Sequence, residues 1–398
     1  MNHMLLAAMQ VSNRLKTING DGDDGWGLFN RSRQMIADGI NVTELTIGEH
    51  DIGTDPSILA AMNASATGGH TGYAMIDGTD GLRDTVAARI ATRTGVPTTR
   101  DNIMITPGGQ AALYATHHAA LDHGDTALFI DPYYATYPGT IRGVGGVPLA
   151  IKTSPDQDFQ PQMADIAAVA PQAKSLLINS PNNPTGVIYS RATLEHIARV
   201  CIDHDLWLIS DEVYDTQVWD GTHLSPRALP GMADRTMVVG SMSKSHAMTG
   251  SRIGWICASE TMTAHLIDLA TNTNYGVPGF IQDAAFFALN AGDALEESVA
   301  APFRRRRDLT LTALEGQNVV RAVPAQGAMY VMMDIRATGL SSADFADRLL
   351  NEVHIAVMPG DSFGQAAEGH VRVAMTINDT AYLEAIKKLV KFAQSCTV

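Results

Sequence analysis

The sequence predicts an α/β protein with a large domain, built on a mostly parallel sheet between helices, and a smaller α+β domain. Three observations carry that expectation. Short apolar runs alternate with helical patterns through the middle of the chain. Several of the runs are continuous stretches of Ile, Val and Leu without polar alternation, which suits strands covered on both faces. Past about residue 290 the pattern shifts to shorter strands and more polar helices.

Taken in chain order, residues 1–45 form an N-terminal segment expected to belong with the small domain. Residues 46–290 form the large domain. Its candidate strands are 102–106, 126–131, 147–151, 175–180, 206–210, 236–240 and 253–258. A helix is expected to follow Gly109, running through Ala111, Leu113 and Tyr114 to Leu121. The clearest helix covers 190–204, where Leu194, Ile197, Ala198, Cys201 and Ile202 recur at helical spacing. Ser190 or Thr193 supplies its cap. Residues 291–398 form the small domain, with an arginine-rich helix over 304–314, strands over 328–334 and 371–375, and helices over 341–352 and 380–394.

The bulk numbers narrow the function classes. The chain has 398 residues and 45% hydrophobic composition, more than one compact unit usually holds. A formal charge of -14 argues against nucleic acid and anionic membranes as partners. The cysteines, Cys201, Cys257 and Cys396, are scattered and lack CxxC spacing. Neither a disulfide framework nor a metal site is expected, and a reducing cytosol fits. No apolar run is long enough to span a bilayer. Residues 1–10 are apolar in part but have no basic lead-in, so a cytoplasmic protein is expected rather than a secreted one.

Some local patterns are set aside. Asp21-Gly22-Asp23-Asp24-Gly25 faintly suggests a calcium loop but misses a ligand position. Residues 304–307 read as a solvated helix face. His117 and His118 cannot both face one site and read as packing. Gly143-Val144-Gly145-Gly146 lacks the spacing and strand–turn–helix context of a dinucleotide fingerprint.

Ligands in open α/β sheets bind beyond the carboxyl ends of the strands. Four expected strands end in polar or glycine-rich segments: Thr106-Pro107-Gly108-Gly109-Gln110, the loop 179–186 with its Asn182-Asn183-Pro184, Ser210-Asp211-Glu212-Val213-Tyr214, and Ser241-Met242-Ser243-Lys244-Ser245. Each alone has a dull explanation, as a turn, a cap or a solvated lysine. In that order, with Arg252 eight residues past Lys244, they are far more specific.

The ordered set resembles the class I/II aminotransferases of pyridoxal 5′-phosphate (PLP) fold type I. The likeness begins near Leu45-Thr46-Ile47-Gly48-Glu49 and reaches His370-Val371-Arg372-Val373-Ala374. It implies PLP as cofactor and a set of roles. Lys244 would carry the Schiff base and then move the proton between substrate and cofactor carbons, a task for an amine of lowered pKa. Asp211 would pair with the pyridine nitrogen and keep the ring an electron sink. Tyr214 and Asn183 would bond the ring's 3′ oxygen, and Tyr134 would stack on the ring. Gly108, Gly109 and Gln110 would present a helix start to the phosphate. Ser241, Ser243 and Arg252 would add hydroxyls and a guanidinium. Tyr73 would reach the phosphate of a neighbouring copy, which implies a homodimer with shared active sites. Arg372 would clamp the substrate α-carboxylate with its planar fork, assisted by Gly48 and Asn183.

Two positions depart from the family pattern. His50 stands where Pro is frequent, and Ser251 where Trp is frequent. His50 is expected near the substrate entrance, either shaping selectivity or only replacing a loop proline. The segments 229–235, 243–250, 275–278 and 334–340 are similar to the arginine–pyruvate branch. That implies an L-amino acid donor other than aspartate, arginine among the candidates, and a 2-oxo acid acceptor such as pyruvate. Aspartate, aromatic or alanine-type donors, and a β-elimination lyase on the same scaffold, stay open. A regulatory PLP-binding module would need a DNA-binding domain and a basic recognition helix, and neither is visible. The glycine pattern argues against a nicotinamide oxidoreductase.

Overall fold

The computed structural model describes residues 9–20 and 26–397. The faint calcium-loop pattern at 21–25 falls outside the described residues. Strands in chain order are β1 (Thr43–Leu45), β2 (Ile103–Thr106), β3 (Thr126–Asp131), β4 (Val147–Lys152), β5 (Ala173–Asn179), β6 (Trp207–Asp211), β7 (Thr236–Ser241), β8 (Gly254–Cys257), β9 (Arg321–Ala322), β10 (Tyr330–Asp334), β11 (Ile355–Pro359) and β12 (His370–Ala374).

Seven of them form one sheet in the order β2-β8-β7-β6-β5-β3-β4. Every pairing is parallel except those of β8, which runs antiparallel to both β2 and β7. The apolar runs do what their composition implies. Leu128, Leu176 and Leu208 pack against helix Arg191–Asp203 on one face, while Phe129, Leu177 and Ile209 pack under helix Gly109–Ala120 on the other. The long helix starts where its cap dictates: Ser190 Oγ accepts the Thr193 N–H at 3.1 Å.

A second sheet has the order β1-β11-β12-β10-β9. Helices Asp293–Ala313, Ser342–Val353 and Asp379–Cys396 cover it through Phe303, Phe345, Leu349, Tyr382 and Leu389. Thr43–Leu45 joins this sheet, parallel to β11. Arg372 sits mid-strand in β12, opposite Met332 of β10 and Met358 of β11. Among the described residues no helix is long and apolar enough to cross a membrane.

Two expectations need correction. The arginine-rich helix begins at Asp293, not near 304, and carries Pro302 inside it. A proline lacks the N–H of a helical residue, so sequence reading stops there, but the helix continues across it. Its arginine row is also not a uniformly solvated face. Arg304 and Arg305 are solvated, but Arg306 is buried and bonds Asp51 at 2.9 and 2.7 Å, Asp379 at 2.9 Å and the Met375 carbonyl at 2.9 Å. Arg307 reaches the Ala325 carbonyl at 3.0 Å. The two histidines divide as packing groups do: His117 is fully buried, and His118 stacks on Tyr114.

Candidate active site

The strand pairing explains why distant segments meet. β5, β6 and β7 are adjacent and parallel, so Asn179, Asp211 and Ser241 end them along one rim. β8 runs the other way, so its first residue, Gly254, pairs with both Ser241 and Thr106. Arg252 precedes β8 and therefore arrives at the same rim as the glycine turn after β2. A cavity of about 340 Å³ opens there. Its lining includes Gly48, Gly109, Gln110, Tyr134, Asn183, Asp211, Tyr214, Ser241, Ser243, Lys244, Arg252 and Arg372.

The glycine turn is built for close approach. Gly108 has φ +84°, and a Cβ there would lie 2.5 Å from the Arg252 guanidinium. Gly108 caps helix Gly109–Ala120 and sits just behind the cavity wall, so the amide N–H groups of that helix start face the cavity without a side chain between. Gln110 is turned aside, with Nε2 donating to Thr140 Oγ1 at 2.8 Å and Oε1 accepting from Thr136 Oγ1 at 3.1 Å. Arg252 Nη1 donates to the Thr249 carbonyl at 2.7 Å. Ser241 Oγ accepts the Ser243 N–H at 3.1 Å, capping the one-turn helix Met242–Ser245 that carries Lys244.

Lys244 Nζ donates to the Gly48 carbonyl at 2.6 Å. Burial pushes its pKa below the ordinary value, and the Arg372 and Arg252 guanidinium groups push it further in the same direction. Asp211 ends β6 fully within the protein. Burial raises its pKa to about 6, opposed by the Tyr137 hydroxyl at 2.7 Å and the Val213 N–H at 3.3 Å. No cation pairs with it among the described residues. Asn179 locks the two neighbouring segments: its Nδ2 donates to the Asp211 carbonyl at 2.9 Å and its Oδ1 accepts the Asn183 N–H at 2.7 Å.

Arg372 is buried between two rings, its guanidinium carbon 4.3 Å from the Tyr330 centroid and 4.4 Å from that of Phe363. One nitrogen donates to Asn183 Oδ1 at 2.8 Å and another to the Thr46 carbonyl; Nε meets no acceptor. Both of those oxygens are neutral, so the fork has no counter-charge. Tyr214 donates to the Tyr330 hydroxyl at 3.3 Å. Gly48 packs against that same hydroxyl so closely that no side chain could replace its hydrogen.

One candidate stands apart. Tyr73 is 90% exposed, lies edge-on to Tyr275 at 5.2 Å, and does not line this chain's cavity. His50 does not line the cavity either. Its ring turns away from the cavity to the Lys244 carbonyl, 3.1 Å from Nε2. Sequence reading missed Tyr137, Tyr330, Asn179 and Phe363. Tyr137 follows Tyr134 in the same segment, and Tyr330 is the one phenol in an apolar run, so each left a faint signal.

The residues fit PLP on their own terms. A buried acid without a cation calls for a protonated ring nitrogen. A helix start joined to Arg252 calls for a phosphate, and an amine of lowered pKa calls for an aldehyde. Fold and site together define an enzyme of PLP fold type I.

The model of the family described as aminotransferase class I and II matches residues 40–389. The chain belongs to that family and is a PLP-dependent aminotransferase. It is 38% identical to the arginine–pyruvate transaminase of Pseudomonas aeruginosa, over 96% of this chain and 97% of that protein. It is 33% identical to an aspartate/prephenate aminotransferase of Thermus thermophilus, over 91% and 93%. Among solved structures, an aspartate aminotransferase from Thermus thermophilus with maleate superposes with a TM-score of 0.89 at 31% identity, covering 96% of this chain and all of that one. An aromatic aminotransferase from Pyrococcus horikoshii gives 0.86 at 30%, covering 92% and 99%.

Proposed function

We propose that this aminotransferase takes the amino group from an L-amino acid other than aspartate, arginine being the first candidate, and passes it to pyruvate or a similar 2-oxo acid. The carrying observation is the cation count around the cavity. Its described lining holds Lys244, Arg252 and Arg372 and no further Lys or Arg. Each of these has a use already, so this chain's own lining leaves none for a second carboxylate on the substrate side chain. The remaining wall is apolar and aromatic, with Trp26, Phe29, Ile47, Met358 and Phe363, and Glu49 contributes a carboxylate at the exposed edge. That wall suits a long aliphatic stem with a cationic end. The similarity to the arginine–pyruvate transaminase supports the same reading.

Bound in this cavity, PLP supplies a carbonyl for the amine and a ring that draws electrons from the substrate Cα. The chain's own residues do the rest. Arg372 grips the α-carboxylate and orients the Cα–H bond. Lys244 Nζ, held neutral more readily by its surroundings, would take the proton from Cα and deliver it to the cofactor's former aldehyde carbon. Asp211, held by Tyr137 and Asn179, would keep the ring nitrogen protonated. Tyr214 and Asn183 would hold the 3′ oxygen, and Tyr134 would cover the ring face. The amides after Gly108, with Ser241, Ser243 and Arg252, would hold the phosphate. Tyr73, lying on the surface, serves the site of a second copy, so the working unit is a homodimer, and it is cytoplasmic.

A matrix of amino donors against pyruvate and 2-oxoglutarate tests the substrate reading. Arginine or another basic or neutral donor with pyruvate should give the highest kcat/KM. Aspartate with 2-oxoglutarate as the best pair would overturn it.

A further inference from the structure

Lys244 is the third residue of a four-residue helix. The last carbonyls of any helix lack intrahelical partners. Here the N–H of Met248, which would serve Lys244 in a longer helix, turns to the Met242 carbonyl at 3.4 Å. Two side chains occupy the Lys244 carbonyl instead. Gln217 Nε2 donates to it at 3.0 Å, and His50 Nε2 lies at 3.1 Å. A carbonyl only accepts, so Nε2 of His50 carries the proton. Its Nδ1, the accepting nitrogen of that tautomer, is buried without a partner. The His50 ring sits edge-on to Phe303 at 5.4 Å. Burial and the nearby Lys244 charge lower its pKa to about 4, so the ring stays neutral where the enzyme works.

The same loop also touches the other end of Lys244. Gly48, two residues before His50, is the acceptor for Nζ at 2.6 Å. The loop is itself anchored on several sides. Asp51 pairs with Arg306, Thr54 Oγ1 donates to the Ala247 carbonyl at 2.7 Å, and Thr376 Oγ1 donates to the Ile47 carbonyl at 3.2 Å. Gln217 is fully buried, and its backbone carbonyl accepts the Ala328 N–H at 2.9 Å, just before β10. The clamp thus joins Lys244 to both segments that lead into or out of the five-stranded sheet beside the cavity.

We propose that His50 and Gln217 are positioning residues for Lys244: their two hydrogen bonds to its carbonyl fix the backbone from which Nζ reaches the reacting carbons. The proposal rests on Lys244 being the reactive amine, as argued above. A histidine at this position is then a working replacement for a loop proline, because it adds a donor that proline lacks. It acts on the geometry of proton transfer and not on the choice of substrate, since its ring is outside the cavity lining.

The test uses the holoenzyme with His50→Leu, His50→Gln and Gln217→Leu. Borohydride fixation of the cofactor to Lys244 in the unaltered protein checks the underlying reading separately. Loss of one such bond corresponds to roughly a two- to tenfold fall in kcat. His50→Leu and Gln217→Leu should each show that fall, with the KM for the donor nearly unchanged. The isotope effect with an α-deuterated donor should rise, because proton transfer becomes slower relative to the other steps. The pH midpoint of the bound cofactor's visible absorbance should move by roughly half a unit to one unit. His50→Gln, which keeps a donor, should return all three readouts toward wild type. Equal defects in His50→Leu and His50→Gln would show that packing on Phe303 matters and the hydrogen bond does not. Wild-type isotope effect and wild-type absorbance midpoint in both leucine variants would overturn the proposal outright.

Discussion

Replacing Asp211 by asparagine should stabilise the cofactor-free protein while abolishing its chemistry. The folded chain raises the Asp211 pKa from 3.8 to about 6, through burial. A group with a raised folded pKa holds its proton more tightly when folded. Its contribution to stability is therefore present below pH 4 and is lost as pH climbs through the interval to about 6. Above that the loss is complete, and at about 1.4 kcal/mol per pH unit it amounts to about 3 kcal/mol. The asparagine side chain has no charge to bury, and its amide can still meet the Tyr137 hydroxyl and the Val213 N–H. Urea unfolding of the apoprotein is the assay. At pH 8 the Asp211→Asn variant should exceed wild type by about 3 kcal/mol, and at pH 5 by about half as much, because the unfolded carboxyl has lost its proton while the folded one keeps it. With PLP present the order should reverse, since the ring nitrogen gives wild type its missing partner. A pH-independent difference, or a variant apoprotein no more stable than wild type at pH 8, would refute the claim that this acid is held at a cost until the cofactor arrives.

Arg372→Lys keeps the charge but loses the planar fork between Tyr330 and Phe363. One charge-assisted bond lost corresponds to a roughly 10- to 150-fold drop in kcat/KM for every amino donor, and steady-state kinetics unchanged across donors would remove the carboxylate role. Tyr137→Phe removes a 2.7 Å bond to Asp211. It should weaken PLP binding by roughly tenfold in an absorbance titration of the apoprotein, and an unaltered Kd would show that the hydroxyl is incidental. Mixing inactive Lys244→Ala with Tyr73→Phe tests the shared site. Exchange of subunits should place one intact site in each hybrid and raise activity above that of either parent; a mixture that merely averages the two would argue that Tyr73 serves no neighbouring site.

Much of the sheet could be read directly, because buried parallel strands are continuous apolar runs. β3 falls on its expected residues, and β2, β4, β5, β6, β7 and β8 lie within a few residues of theirs. The short strands β1 and β9 were not legible, since so few residues carry little periodic signal, and β1 exists through pairing with β11, which arrives from the far end of the chain and was itself not identified. The rim residues were legible because their spacing forms an ordered set. What escaped were residues that act through another side chain. Tyr137 and Asn179 matter because of where Asp211 lies, and their local sequence says little of that. His50 was visible as a departure from a family pattern, but its direction was not, because a ring in a loop can face either way. Arg306 looked like its solvated neighbours until Asp51 and Asp379 closed on it from opposite ends of the chain.

The reversed strand β8 has a mechanical consequence. Because it re-enters the sheet beside β7, the chain leaves the rim at Ser241 and is back at the rim by Gly254, so Lys244 and Arg252 share a single short tether anchored at both ends to one sheet. Their spacing follows from that tether, with Gln217 holding the Lys244 carbonyl from the same side of the cavity. Arg372, Tyr330 and the Gly48 carbonyl ride on the other sheet and its approaches. Any relative displacement of the two bodies would therefore alter the grip on the substrate and on the resting amine, while the seat of the cofactor moved as one piece.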